Sequence, residues 1–180
     1  EAIKVIRTRQ HDMNELKIGA TLQNGKYRIE HVLGQGGFGI TYLATQTTLG
    51  CKVAIKEFFF QDCCERHADD SRVSVITASK QELVDKFRRK FLKEARLLLA
   101  INHHNIVRVM DAFEENDTAY YAMEYIEGIS LSQLISQKGR LTAAETLTIT
   151  DSVGQALVYL HARNINHLDI KPANIMIENG

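Results

Sequence analysis

The sequence is short of the residues that break or staple a chain. Its single proline, Pro172, fixes φ and removes an amide donor, so the segment after Ile170 cannot run on as a helix. The three cysteines, Cys51, Cys63 and Cys64, make no disulfide framework and fit a reducing, cytoplasmic compartment. No apolar run approaches the roughly 18 residues of a spanning helix. The first residues carry no signal-peptide pattern, so no membrane segment is expected within this chain. An excess of charge of either sign is also lacking, since Lys plus Arg and Asp plus Glu each number 22. That balance provides no electrostatic footprint for nucleic acid or an acidic membrane surface. Repeats and low-complexity segments are absent. With 180 residues, 44% of them apolar, the chain can bury a core as one domain or two small lobes. It opens on Glu1 rather than methionine, which suggests an excised piece.

The proline lies in the most informative stretch, Ile165-Asn166-His167-Leu168-Asp169-Ile170-Lys171-Pro172-Ala173-Asn174. Tyr159-Leu160 before it and Ile175-Met176-Ile177 after it would anchor such a loop to a core. Its polar groups divide by chemistry. Asp169 can accept a proton or orient a hydroxyl, Lys171 can neutralise phosphate, and Asn174 offers a carbonyl oxygen to a hard cation.

Residues 1–20 are weakly patterned, with Ile3, Val5 and Ile6 hinting at an extra strand. Strand-like sequence over 27–33 leads into Gly34-Gln35-Gly36-Gly37-Phe38-Gly39 and then Ile40-Thr41-Tyr42-Leu43-Ala44-Thr45. A lone G-x-G-x-x-G match is a weak signal, and the dinucleotide fingerprint needs a helix straight after the glycines. Here β-branched and aromatic residues follow, favouring a second strand. The unit reads as strand, glycine turn, strand. Such a flap can lay backbone N–H groups over phosphates, and an ordinary glycine-rich hairpin fits the same residues.

The next strand spans 52–58, with Val53 and Ile55 on one face and Ala54 and Lys56 on the other. A small residue beside a lysine leaves room for a flat ligand and aims an ammonium at it. A solvated strand lysine is the plainer alternative. Residues 60–78 read as a polar, irregular insertion whose Cys64-x-x-His67 has no second pair to complete a metal site. Ser79-x-x-Glu82 reads as a capping box opening a long helix with Val84, Phe87, Phe91, Ala95 and Leu98 on its apolar face. Glu94, at the edge of that face, needs Lys56, a helix-surface cation or water as partner. Strands over 106–113 and 119–125 follow, and His103 and His104 before them read as structural or solvent-facing. Met123-Glu124-Tyr125-Ile126-Glu127-Gly128 looks like a connector. Ser130-x-x-Gln133 caps a short helix ending at Gly139. Thr142-x-x-Glu145 caps a longer one with Ile149, Val153, Ala156, Leu157 and Leu160 on one face. The fold class is α+β in two lobes, sheet first and helix second.

With five motifs in order and register, the chain resembles the protein-kinase family, specifically its bacterial eukaryotic-like (Hanks-type) serine/threonine members. The motifs are the glycine loop, Val53-Ala54-Ile55-Lys56, the helix acid Glu94, the Met123-Glu124-Tyr125 connector and the His167-to-Asn174 loop. The resemblance covers about residues 21–180. It implies a protein-kinase-like fold with an extension at 1–20, an N-lobe of antiparallel sheet plus one long helix at 21–122, a hinge at 123–128 and part of a helical C-lobe at 129–180. It also implies transfer of the ATP γ-phosphate to a protein hydroxyl, with Mg2+. Gly34, Gly36, Gly37 and Gly39 would cover the phosphates, with Phe38 at the tip. Lys56 would hold the α/β-phosphates and pair with Glu94. Met123 would be the gatekeeper, and Glu124, Tyr125 and Ile126 would meet adenine through backbone groups. Leu33, Thr41, Ala54 and Met176 would sandwich the ring. Asp169 would accept the substrate proton, Lys171 marks the serine/threonine branch, and Asn174 would help hold the metal.

Thr41 stands where the family has valine, and Leu168 replaces the arginine of His-Arg-Asp, which puts activation through a phosphorylated loop in doubt. The 180 residues contain no Asp-Phe-Gly. The expectation is therefore a kinase parent, with these 180 residues alone inactive or nearly so. The alternatives are a pseudokinase acting as a nucleotide-binding or scaffold module, and a fragment that binds no nucleotide. An unpartnered apolar face on the 142–162 helix would promote self-association.

Overall fold

A six-stranded antiparallel sheet dominates the first of two compact units in the computed structural model, which describes residues 14–179. The Ile3, Val5 and Ile6 pattern lies outside those residues. The sheet strands are β1 (Thr21–Leu22), β2 (Tyr27–Gly36), β3 (Gly39–Gln46), β4 (Cys51–Phe58), β7 (Val109–Glu115) and β8 (Thr118–Glu124), in spatial order β1-β2-β3-β4-β8-β7. Period-two patterning sets the core face. Ile40, Tyr42 and Ala44 of β3 and Val53 and Ile55 of β4 are all almost fully buried. Bulges in β2 between Ile29 and His31, and between Val32 and Gly34, bend that strand ahead of the glycine turn. Asn116 and Asp117, both at positive φ, make the tight turn joining β7 to β8.

One core-face residue is charged. Glu57 is fully buried on β4, where Arg66 Nη2 reaches both of its carboxylate oxygens at 2.6 Å. The hydroxyls of Tyr42 and Tyr120 donate to it at 2.7 and 2.8 Å. Burial works against the Arg66 cation, and the Glu57 charge more than offsets it, holding the guanidinium pKa above its usual value. Arg66 ends β5 (Cys64–Arg66), which pairs with β6 (Val73–Val75) in a small hairpin. The 60–78 insertion, which looked irregular in sequence, is thus partly ordered, and its one buried cation ties it to the sheet.

Helix α1 (Gln81–Leu99) buries Val84, Leu92 and Ala95, with Phe87 and Phe91 half-buried. The expected Ser79–Glu82 capping box does not form. An N-cap needs extended backbone, and Ser79 already lies inside the 3-10 turn Ala78–Lys80, leaving Lys80 to precede the helix without a side-chain cap. The strand expected from 106 starts at Val109. Residues Asn102–Val107, placed by sequence within the sheet lobe, belong to the second unit. There, Asn102 N donates to the Tyr159 hydroxyl, Asn105 Nδ2 donates to Ser152 O, and the His103 ring lies tilted against Tyr159 at 4.9 Å between centroids.

The second unit continues from Ile126 with β9 (Gly128–Ser130), α2 (Leu131–Lys138), α3 (Ala143–His161) and β10 (Met176–Glu178), which pairs with β9. Both expected capping boxes are formed: Ser130 with Gln133, and Thr142 with Glu145. Helix α2 ends on Gly139 at φ 79. Gly128 has no room for a side chain, because a Cβ there would meet Ile177 O at 2.0 Å. On α3, Ala156 and Leu160 are buried and Ile149, Val153 and Leu157 half-buried, so the face named as open is largely covered. The exposed apolar side chains of that helix are Leu147 and Val158 instead. Among the described residues, no helix is long and apolar enough to cross a membrane.

Candidate active site

The first unit supplies a flap and a strand-borne ammonium. In the flap, Gly34 pairs with Thr41 and Gly36 with Gly39, leaving Gly37-Phe38 as the turn. A Cβ added at Gly34, Gly36 or Gly37 would meet nothing within 4 Å, so the backbone of these residues is open to approach. Gly39 is different: a Cβ there would lie 2.7 Å from Glu57 O, so packing demands glycine. Phe38 is half-exposed at the tip and leans on Phe60 and Phe87.

Behind the flap, the ladder aligns the expected pocket residues. Thr41, Lys56 and Tyr121 form one rung across β3, β4 and β8, and Leu43, Ala54 and Met123 form another. Ala54 is buried, Thr41 and Met123 are half-buried, and Leu33 is exposed. The Glu124 N–H is committed to Arg108 O at 3.0 Å, so Glu124 cannot use that group on a ligand. Tyr125, half-buried, closes the first unit, and Ile126 opens the second.

Lys56 and Glu94 do not form the expected ion pair. Lys56 Nζ lies 5.9 Å from the centroid of the Tyr121 ring, its neighbour across the ladder, and Glu94 is solvent-exposed at the edge of the α1 stripe. Tyr121 feels both. Burial and then the Glu94 charge push its phenol up to about 12, so the hydroxyl stays protonated. Among the described residues the ammonium therefore has an aromatic face and no anion at salt-bridge distance, leaving it available to an anionic ligand. Sequence reasoning missed Tyr121, whose only signal was its position opposite Lys56.

The second unit carries the loop chemistry. Lys171, extended before Pro172, leads into the 3-10 turn Pro172–Asn174. That turn swings Asn174 back so that its Nδ2 donates to Asp169 Oδ2 at 2.8 Å and to Asp169 O at 3.0 Å. Lys171 Nζ meets the same Oδ2 at 2.9 Å. These contacts, the Lys171 bond first, hold the Asp169 carboxyl below its usual pKa. Both side-chain partners use Oδ2, so Oδ1 is left to accept from an incoming group. The Asn174 amide hydrogens face Asp169, which leaves its carbonyl oxygen for a hard cation. Met176, on β10 opposite Ser130, is exposed.

Comparison with known proteins bears on both sets of residues. A sequence model described as "Protein kinase domain" matches residues 27–180. The chain is 36% identical over 155 residues to the serine/threonine-protein kinase PrkC of Bacillus subtilis, covering 86% of this chain and 21% of PrkC. It is 31% identical over 166 residues to PknA of Mycobacterium tuberculosis, covering 89% of this chain and 34% of PknA. The chain thus spans about a fifth to a third of these curated relatives. Among solved structures, the apo form of PpkA-294 matches with a TM-score of 0.85 at 28% identity, covering 92% of this chain and 58% of that one.

Proposed function

Because this chain belongs to the protein kinase domain family, we propose that it carries the nucleotide- and hydroxyl-handling residues of an ATP-dependent serine/threonine protein kinase. Relatives bearing that name support the reading. The observation that carries it is the Asp169 carboxylate, anchored at Oδ2 by Lys171 and Asn174 and open at Oδ1. A carboxylate fixed at one oxygen orients a hydroxyl with the other and takes its proton as phosphate transfer proceeds. Its lowered pKa keeps it ionised for that task.

In this reading the proposed lobes take 21–122, less 102–107, and 129–180 together with 102–107, with 123–128 as the hinge. The backbone of Gly34, Gly36 and Gly37 lies over the phosphates, and Lys56 turns from the Tyr121 face to the α/β-phosphates. Leu33, Thr41, Ala54, Met123 and Met176 take the adenine. The carbonyl oxygen of Asn174 holds Mg2+, which when bound neutralises charge on the phosphates. One neutral oxygen is a sparse ligand set, so the 180 residues alone bind nucleotide but transfer phosphate poorly. A cytoplasmic setting belongs to the same proposal, supported by three cysteines that are all unpaired. Self-association through α3 would now rest on exposed Leu147 and Val158. A monomeric light-scattering mass at high concentration would dismiss it.

The test is transfer of labelled γ-phosphate by the intact protein to itself or to a generic serine/threonine substrate, with Asp169→Asn as control. Transfer that is lost in the variant supports the reading. One observation favours a second reading, a nucleotide-binding scaffold: Lys56 and Glu94 are unpaired. ATP-analogue binding with no transfer would select it.

A further inference from the structure

The tip of the glycine flap is docked by two rings and two backbone amides. Phe38 sets its ring 4.7 Å from Phe60 and 5.2 Å from Phe87, and Phe60 and Phe87 close the triangle at 5.6 Å. The turn is also tied through its backbone: Phe59 N donates to Phe38 O at 3.1 Å, and Gln61 N donates to Gly37 O at 3.2 Å. A glycine-rich turn has little of its own to hold one position. Tilted and edge-on ring contacts, together with two amide bonds, supply that hold.

The anchors come from two separate segments. Phe60 stands at the start of the 60–78 insertion. Phe87 stands on α1, seven residues before Glu94, close to two helical turns, so Phe87 and Glu94 share one face of a rigid rod. Phe91, between them, packs against Phe58 and Tyr121 with ring centroids at 5.8 and 5.1 Å. A displacement of α1 therefore moves the flap's dock and Glu94 together.

We propose that Phe60 and Phe87 are positioning residues for the nucleotide phosphates. They act through Phe38, fixing the flap's N–H groups relative to the helix that carries Glu94. The inference rests on the nucleotide-binding reading above. The ring contacts of Phe60 and Phe87 are with Phe38 at the flap tip and with each other, so their influence falls on phosphate-bearing ligands.

The experiment compares the affinities of ATP and adenosine for the intact protein and for Phe60→Ala and Phe87→Ala. Phe60→Leu and Phe87→Leu serve as milder variants in case an alanine variant does not fold. ATP binding is expected to weaken about tenfold in the alanine variants, the scale of losing two aromatic contacts. Adenosine binding is expected to hold, and KM for ATP to rise with kcat nearly kept. Phe60→Tyr, which keeps the ring, should restore ATP affinity. Equal weakening of both ligands would mean a merely structural role and would overturn the inference. So would an unchanged preference for ATP, or tighter ATP binding. A wild-type protein that binds neither ligand would instead remove the nucleotide reading, and this inference with it.

Discussion

Glu57 and Arg66, nine residues apart in sequence, hold one another at 2.6 Å with side chains 0% and 3% exposed. Arg66 spends its other donors on the chain around it: Nη1 on Ser71 O at 2.6 Å and Nε on Asn14 O at 2.8 Å. Leu16 N in turn donates to the Tyr42 hydroxyl at 3.1 Å. The segment before the sheet, the insertion hairpin and β4 are therefore joined at one buried carboxylate.

Removing one partner of this pair should be far worse than removing both. Arg66→Met alone leaves an unpaired buried charge and is expected to cost about 3–5 kcal/mol. Glu57→Gln combined with Arg66→Met is expected to cost well under the sum of the single changes. Urea unfolding of the four proteins measures the coupling, and strict additivity would refute it.

For phosphate transfer, Asp169→Asn is expected to lower kcat by roughly 10² or more, the loss of a positioned base. Lys56→Met should cripple transfer by removing the ammonium proposed to meet the phosphates. Unchanged turnover in either variant would remove that residue's assigned role.

The α3 cap gives a pH signature. Hydrogen bonds, from Lys138 first and then from Thr142, hold the Glu145 pKa at about 2 rather than 4.5. A depressed folded-state value means the stabilisation is complete above the unfolded value of 4.5 and lost as pH falls through about 2. Wild type and Glu145→Gln are expected to converge in stability at the acid end of that window, with wild type ahead above it. Parallel stability curves across the window would contradict this.

Leu168 sits at φ 63 with 92% of its surface exposed, so it bears backbone strain without burying its side chain in return. Leu168→Gly or Leu168→Asn is expected to stabilise the protein by about 1 kcal/mol. Leu168→Val should destabilise it, since a β-branched residue tolerates that region less well. A lower denaturation midpoint for the asparagine variant would argue against strain at this position.

Local patterns were the legible part of this chain. The β2 and β3 strands flanking the glycines, the α1 stripe and the Ser130 and Thr142 boxes all depend on residues a few positions apart, and sequence spacing fixes those directly. The contacts that escaped detection join distant segments. Glu57 could be recognised as an acid in phase with Val53 and Ile55, but its partner waits on a hairpin inside an insertion that looked irregular. The Lys56–Glu94 pairing depends on where α1 lies over the sheet, which no spacing encodes, and Tyr121 proves to be the neighbour of Lys56. Ser79 had the right residue type for a cap and the wrong backbone, because the chain tightens into a 3-10 turn before the helix begins.

Strand β4 carries opposite charges side by side, Lys56 and Glu57, and the pleat sends them to opposite faces. A slip of one residue in its pairing would exchange them. Lys56 would then enter a dry pocket already holding the Arg66 cation, and Glu57 would face the flap proposed to cover phosphate. Mispaired forms of this strand are therefore rejected by charge as well as by shape. The buried acid thus favours the one register of β4 that keeps the Lys56 ammonium on the opposite face.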